Sequence, residues 1–394
     1  MKSNQRVRVL FLSHQDPGIG GAPKALIELI KELKKRHNIY PIVAVERKDL
    51  VYEYCTKNNI ECYDLNYKDV TLSKRQKNIV ASLEVPIKKI RQRLLDEIAL
   101  NKLKNKINIQ SLDLIHSNVS TISLGALINE KYGIPHIVHL REALKYYTNK
   151  YISIRNYISY LNERTTKFVA ISNFVKNQWI RAGIPSEKVQ LIYDGIALPK
   201  LYKNSILDKK IIRAVIVGTV EKRKGQEVVI DSIKYLSDED KKRIQVDIIG
   251  SEINDEGETI KEKGRALPNG IVNFLGYKQD IDNQLKKYDI GIMASEGEPF
   301  GLVTVEYMAK GLLVLGADGG ATPEIIEDKK TGLLFKKNDS KSLANILHKI
   351  IKAPTKFAKY GVYAQETVYK KYTAIVNADN IYRLYLSILN RSER

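Results

Sequence analysis

The sequence predicts an α/β protein built from two doubly wound, Rossmann-like domains. Three observations lead there. Short apolar runs alternate with amphipathic helical stretches, and the whole alternation occurs twice. Strands buried on both faces of a parallel sheet read as such runs, with the helices as crossovers. Between the two series, "ALPKLYKNSILDKK" is polar and aperiodic, which places the join at 195–212. Loops rich in glycine or charge follow several strands, where open parallel sheets bind their ligands.

In the first series, "VRVLFLS" (7–13) is a strand, followed by a glycine turn and an amphipathic helix over 22–36. "YPIVAVE", "DLIHSN", "IPHIVHL", "KFVAIS" and "VQLIYDG" are further strands. The second series opens with "RAVIVGT" (213–219) and continues through "IQVDIIG", "IVNFLG", "YDIGIMAS", "LLVLGA" and "TGLLF". The tail from 339 to 390 reads as helical throughout. The expected domains are 1–197 and 198–375, with a final helix at 376–394 packing back toward the first.

Composition narrows the function classes. The chain has 394 residues, 43% hydrophobic, with a single Trp, as in an ordinary globular protein. No stretch approaches the ~20 apolar residues of a membrane span, and the N-terminus lacks the apolar core of a signal peptide. Cys55 and Cys62 match no common metal spacing and are expected to be reduced thiols in a cytoplasmic protein. Net charge is +20, of which residues 1–197 carry 32 − 18 = +14. That asymmetry suggests an anionic partner: a membrane surface, a nucleic acid or a phosphorylated substrate. The basic residues are dispersed and no nucleic-acid recognition motif is present, so nucleic acid is not expected.

Three loops carry possible chemistry. In "PGIGGAPKALIELI", Gly20 and Gly21 precede a helix whose first N–H groups could meet an anion; taken alone, the loop favours a plain turn. In "GTVEKRKGQEVV", Arg223 and Lys224 stand just before Gly225 and a helix, against the usual dipole preference, so a bound anion would compensate them. In "EGEPFGLVTVEYMAKG", Glu298 sits in a turn, Gly301, Leu302 and Val303 begin a helix, and Glu306 lies one turn further in. Carboxylates placed this way suit vicinal sugar hydroxyls, and the helix start suits a phosphate.

The segment E-P-F-G-L-x-x-x-E, with its glutamates eight apart, resembles the E-x7-E motif of retaining glycosyltransferases of family 4, which have the GT-B fold. "GGAPKALIELIKEL", "LIYDGI", "GTVEKRKG", "VNFLGY", "ADGGATPEII" and "TGLLF" resemble further segments of that family in its order. The resemblance implies two domains facing each other across a cleft and transfer of a sugar from a nucleotide-diphosphate sugar, with UDP favoured over GDP. It implies that Lys224 and Arg223 bind the diphosphate and that Glu306 binds the ribose. Glu298 would hold the transferred sugar, and His139, in "HIVHLREALKYY", would contact it. The backbone of Gly301, Leu302 and Val303 would meet the phosphates, with Gly20 and Gly21 closing over them. Phe300 completes the motif on the donor side. Thr219 stands where the family usually has an arginine, with Arg223 the candidate substitute, and Asp194 replaces the usual Asn. Arg141 and Glu142 resemble a His-x-Arg-Glu variant on the acceptor side, whereas His136 is expected to be structural.

No metal or other cofactor is expected. The implied acceptor is a glycan or polyprenyl-linked glycan of a cell-surface polysaccharide such as capsule. A sugar-nucleotide epimerase of similar fold is the alternative enzyme. Finally, Ile87, Ile90, Leu94 and Ile98 recur at helical spacing among Lys88, Lys89, Arg91, Arg93, Lys102, Lys104 and Lys106. Tyr146, Tyr147, Tyr151, Tyr157 and Tyr160 follow. A helix packed on the core with solvated charges explains this, and so does a peripheral membrane surface.

Overall fold

The computed structural model describes residues 6–14, 20–70, 79–144, 154–197, 210–252, 255–268 and 270–390, with the side chains of 79–89 and 154–156 also left out. Ile87, Lys88, Lys89, Tyr146, Tyr147 and Tyr151 therefore lie outside the described residues or side chains. The chain forms two compact units, Met1–Ala197 with Ala374–Arg394, and Leu198–Thr373.

The first unit is a seven-stranded, all-parallel sheet. Its strands are β1 (Val7–Ser13), β2 (Ile39–Val45), β3 (Glu61–Asp64), β4 (Leu114–Ser117), β5 (His136–Leu140), β6 (Lys167–Ala170) and β7 (Val189–Leu191), in the order β3-β2-β1-β4-β5-β6-β7. The central strand β1 is apolar along its length because both faces are covered. Helix α1 (Gly21–Arg36) buries Leu26, Leu29, Ile30 and Leu33, a stripe with the period of a helix. Lys34, Lys35 and Arg36 complement its carboxyl end. Edge strand β3 is missing from the sequence reading. Its residues, "ECYD", are polar and only half-buried, so no apolar run marks it.

Helix α2 (Leu50–Lys57) follows β2, with the Asp49 carboxylate accepting from the Val51 and Tyr52 amides. The long helix α3 (Ile79–Lys104) precedes β4, α4 (Leu124–Tyr132) links β4 to β5, α5 (Ile154–Glu163) precedes β6, and α6 (Asn173–Arg181) follows it.

The second unit repeats the plan with six parallel strands: β8 (Ile212–Val217), β9 (Ile244–Ile249), β10 (Val272–Phe274), β11 (Ile290–Met293), β12 (Leu313–Asp318) and β13 (Leu333–Lys336), ordered β10-β9-β8-β11-β12-β13. Its crossovers include α7 (Gln226–Lys234), α8 (Asp238–Lys241), α9 (Asp255–Arg265), α10 (Ile281–Leu285), α11 (Leu302–Ala309) and α12 (Thr322–Ile325), with α13 (Ser340–Lys352) and α14 (Ala358–Lys371) after β13. In each sheet the strand order reverses beside the first strand, between β1 and β4 and between β8 and β11. Ligands of doubly wound sheets bind at the carboxyl ends flanking such a point. The last helix, α15 (Ala374–Ile388), returns to the first unit, where Ala378, Ile381, Leu384 and Tyr385 join the core that α1 covers.

Candidate active site

In the second unit, three loops meet at the carboxyl ends of β8, β11 and β12. The loop after β8 ends in one 3-10 turn, Lys222–Lys224, and Gly225, which is left-handed at φ 74° and starts α7. A Cβ at Gly225 would strike the Ala294 carbonyl oxygen, so glycine alone lets the two loops touch. The Glu296 amide donates to the Arg223 carbonyl at 3.0 Å, and the Ala321 amide donates to the Glu298 carbonyl at 2.9 Å. Gly320 closes the third side, since a Cβ there would come within 2.6 Å of the Glu298 backbone.

These contacts place Lys224 Nζ 3.0 Å from Glu298 Oε2, with side chains 22% and 14% exposed. Burial works against the Glu298 carboxylate, but the Lys224 ammonium, Arg223 and a hydrogen bond from Ser295 outweigh it and hold its pKa below the ordinary value. Arg223 donates to Glu221 at 2.6 Å, and its charge also reaches Glu298. Thr219 is half-buried, and its carbonyl accepts from Gln226 at 2.8 Å.

Helix α11 starts at Gly301 with φ 92°, no side-chain cap and no acidic residue in its first turn, which suits its N–H groups to an anion. Thr304, Val305, Tyr307 and Met308 are buried, while Leu302, Val303 and Glu306 are half-buried. Glu306 therefore stands over Leu302 and Val303 on the open side of the helix, not among the apolar side chains. Phe300, expected on the donor side, turns its ring into the fold. Its ring is 3% exposed and meets Tyr372 edge-on at 5.9 Å, so its side chain is a packing group. Two supports escaped sequence reasoning. Ser295 holds Glu298, and the Tyr307 hydroxyl accepts from the Val217 amide at 2.8 Å, pinning the end of β8 to α11. Neither residue carries a local signal.

In the first unit, Gly20 is the N-cap of α1, with no side-chain cap and no acid in the first turn. His116 ends in β4 and His139 in β5, both fully buried. The His116 and His139 rings are 2.8 Å apart, Nε2 to Nδ1. His136 has both ring nitrogens engaged, by Ser117 at 2.9 Å and the Arg164 carbonyl at 3.0 Å, so it is structural.

Arg141 and Glu142, expected to serve an acceptor, are both engaged within the first unit. Arg141 is buried, forms an ion pair with Asp194, and donates to the Asn118 carbonyl and side chain at 3.1 Å each. The pair also explains the unusual Asp194, whose charge needs this partner. Glu142 accepts from the Ser120 amide and hydroxyl and from the Arg141 amide at 3.0 to 3.2 Å. Burial pushes its pKa up to about 7. Both residues brace the loop after β5. Among the described residues, no group of three or more His, Cys, Asp or Glu side chains could hold a metal, and no helix is long and apolar enough to cross a membrane.

Comparison with known proteins gives this architecture a family. The family model "Glycosyltransferase Family 4" matches residues 19–199, and "Glycosyl transferases group 1" matches residues 200–367. An uncharacterised glycosyltransferase of Methanocaldococcus jannaschii is 26% identical over 354 residues, covering 88% of each chain. The amylovoran biosynthesis glycosyltransferase AmsK of Erwinia amylovora is 28% identical over 45% of each chain. The crystal structure of Anabaena HepE in complex with UDP and glucose superimposes with a TM-score of 0.75 at 22% identity, over 97% of this chain and all of that one. Two successive family models, relatives that are glycosyltransferases, and two parallel sheets of matching fold agree: the chain belongs to the family 4 glycosyltransferases, with the GT-B fold.

Proposed function

We propose that this glycosyltransferase moves a hexosyl unit from a UDP-sugar, with retention of configuration, to a glycan or polyprenyl-linked acceptor in cell-surface polysaccharide synthesis. The observation that carries the reading is the half-buried Lys224–Glu298 pair beside the open start of α11. A cation, an uncapped helix start and two carboxylates match a diphosphate flanked by two sugars. Lys224, Arg223 and the first amides of α11 take the diphosphate, Glu306 the ribose hydroxyls, and Glu298 the transferred sugar. The bond from C1 to the diphosphate breaks while the acceptor oxygen bonds to C1 on the same face, and the acceptor proton passes to the departing phosphate oxygen. The catalytic contribution is charge already in place where the leaving group develops its own. Since side chains and amides carry that charge, turnover should survive EDTA.

UDP is favoured because HepE, of similar fold, holds UDP and glucose. A role in polysaccharide synthesis is supported by the amylovoran relative. The acceptor reading also draws on α3, where Ile90, Leu94 and Ile98 are 62%, 58% and 53% exposed at four-residue spacing on one face. With Arg91 and the lysines nearby, that face suits an anionic membrane bearing a lipid-linked acceptor. Arg93 is committed to Glu130 at 2.8 Å and adds little there. Thermal shift with UDP-, GDP- and other nucleotide sugars tests the donor. Ligand at ~100 times its dissociation constant should stabilise the protein by ~2.7 kcal/mol. No response to any nucleotide sugar would sink the proposal.

A further inference from the structure

Tyr385, His116 and His139 form one buried hydrogen-bonded chain across the first unit. The Tyr385 hydroxyl on α15 lies 2.5 Å from His116 Nδ1, and His116 Nε2 lies 2.8 Å from His139 Nδ1. All three residues are fully buried. The far nitrogen, His139 Nε2, is buried and has no hydrogen-bond partner among the described residues.

Burial, aided by the Arg141 charge, pushes His116 down to about 3 and His139 well below its ordinary value, so both rings are neutral. Burial likewise keeps the Tyr385 phenol protonated. Each of the three groups then carries one labile proton, and a neutral imidazole donates from one nitrogen and accepts at the other. Only two arrangements make both links. In one, Tyr385 donates to His116 Nδ1, His116 Nε2–H donates to His139 Nδ1, and His139 Nε2 carries a proton. In the other, every link is reversed, and the Tyr385 hydroxyl must donate elsewhere. Each arrangement leaves one buried donor unpaired among the described residues, His139 Nε2–H in the first and the Tyr385 hydroxyl in the second, but the second also leaves the His139 Nε2 lone pair bare and so strands two groups instead of one. The first arrangement prevails.

We infer that Tyr385 is a positioning residue which, through His116, fixes His139 as a hydrogen-bond donor at Nε2, available to an oxygen of the sugar nucleotide. The assignment to a sugar-nucleotide oxygen rests on the function proposed above; the proton order does not. His139 in this state cannot serve as a base at Nε2.

The test combines nitrogen NMR of the histidines with kinetics. In the wild-type protein, long-range proton–nitrogen spectra should show a protonated Nε2 and a bare Nδ1 on both His116 and His139. In Tyr385→Phe the two arrangements become comparable, and the His139 signals should show both tautomers. With the two arrangements comparable, about half the molecules stay competent, so kcat should fall by about twofold with KM for the donor changed less. The His139→Gln variant keeps an N–H near the Nε2 position without needing the chain, so adding Tyr385→Phe to it should lower kcat by no more than about 1.2-fold. A proton on His139 Nδ1 in the wild type would overturn the inference. So would an equal loss from Tyr385→Phe in both backgrounds, which is what a merely structural tyrosine would produce. Correct tautomers with His139 signals that ignore every nucleotide sugar would overturn the ligand assignment and leave the proton order standing.

Discussion

Removing Lys224 should do two separable things. At the 3.0 Å separation from Glu298, the gross attraction is ~5.5 kcal/mol at an effective dielectric of about 20. Desolvation cancels much of it, and the side chains keep 22% and 14% exposure, so the net loss should be ~1–3 kcal/mol. Lys224→Ala strands the carboxylate in its pocket. For a unit of this size, each kcal/mol moves Tm by about 2–4 °C, so the variant should melt ~2–12 °C lower. Glu298→Gln strands the ammonium instead, but lysine can turn toward water, so its loss should be smaller. In the double variant neither charge is left alone, and the melting temperature should recover most of the way. Turnover should not recover, because Lys224 is also assigned to the leaving diphosphate, and one such group contributes roughly 10²–10³. Scanning calorimetry and a coupled UDP-release assay on the four proteins complete the cycle. Additive losses in stability would show that the pair does not form in solution. Full turnover in Lys224→Ala would remove the lysine from the donor site.

Glu306→Gln should weaken binding of bare UDP, whereas Glu298→Gln should leave it nearly intact while reducing turnover; titration calorimetry distinguishes them, and equal losses would refute the division of roles. Burial pushes Asp69, Asp96 and Glu142 up to about 7. Carboxyls unfold to values of about 4, so between about pH 4 and pH 7 the folded state holds more protons and stability falls as pH rises. The buried His116, His136 and His139, held neutral, act oppositely below about pH 6.5, so the net drop in melting temperature should run from about pH 6.5 to about pH 8, and Asp96→Asn should flatten it and melt higher at the alkaline end. A wild-type profile that rises across this window contradicts the assignment. Flotation with anionic liposomes should recover the protein at low salt and lose it at high salt or in Ile90→Ser/Leu94→Ser/Ile98→Ser; indifference to anionic lipid would point to an acceptor free in solution.

Much of the fold was legible because its signals are local. Strands buried on both faces must be apolar along their length, so "VRVLFLS", "IQVDIIG" and "LLVLGA" declare themselves, as does the helical stripe of Leu26, Leu29, Ile30 and Leu33. Strand β3 did not, because an edge strand needs no apolar run. The E-P-F-G-L-x-x-x-E segment was also local, and it located the loop and helix start that the structure builds around Lys224 and Glu298. Its resemblance could not show where side chains point. Phe300 belongs to the motif yet packs inward on Tyr372, and Arg141 and Glu142 brace the loop after β5.

Tertiary structure alone decided the partners. Lys224 and Glu298 are 74 residues apart, Arg141 and Asp194 are 53 apart, and His116 and Tyr385 are 269 apart. Each pair meets because β11 lies beside β8, because the loop after β5 folds back beside the exit from β7, and because α15 returns to the first sheet after the whole second unit has been made. Periodicity records which face of an element is buried. It holds no record of which other element covers that face, and charge pairing and proton order depend on that.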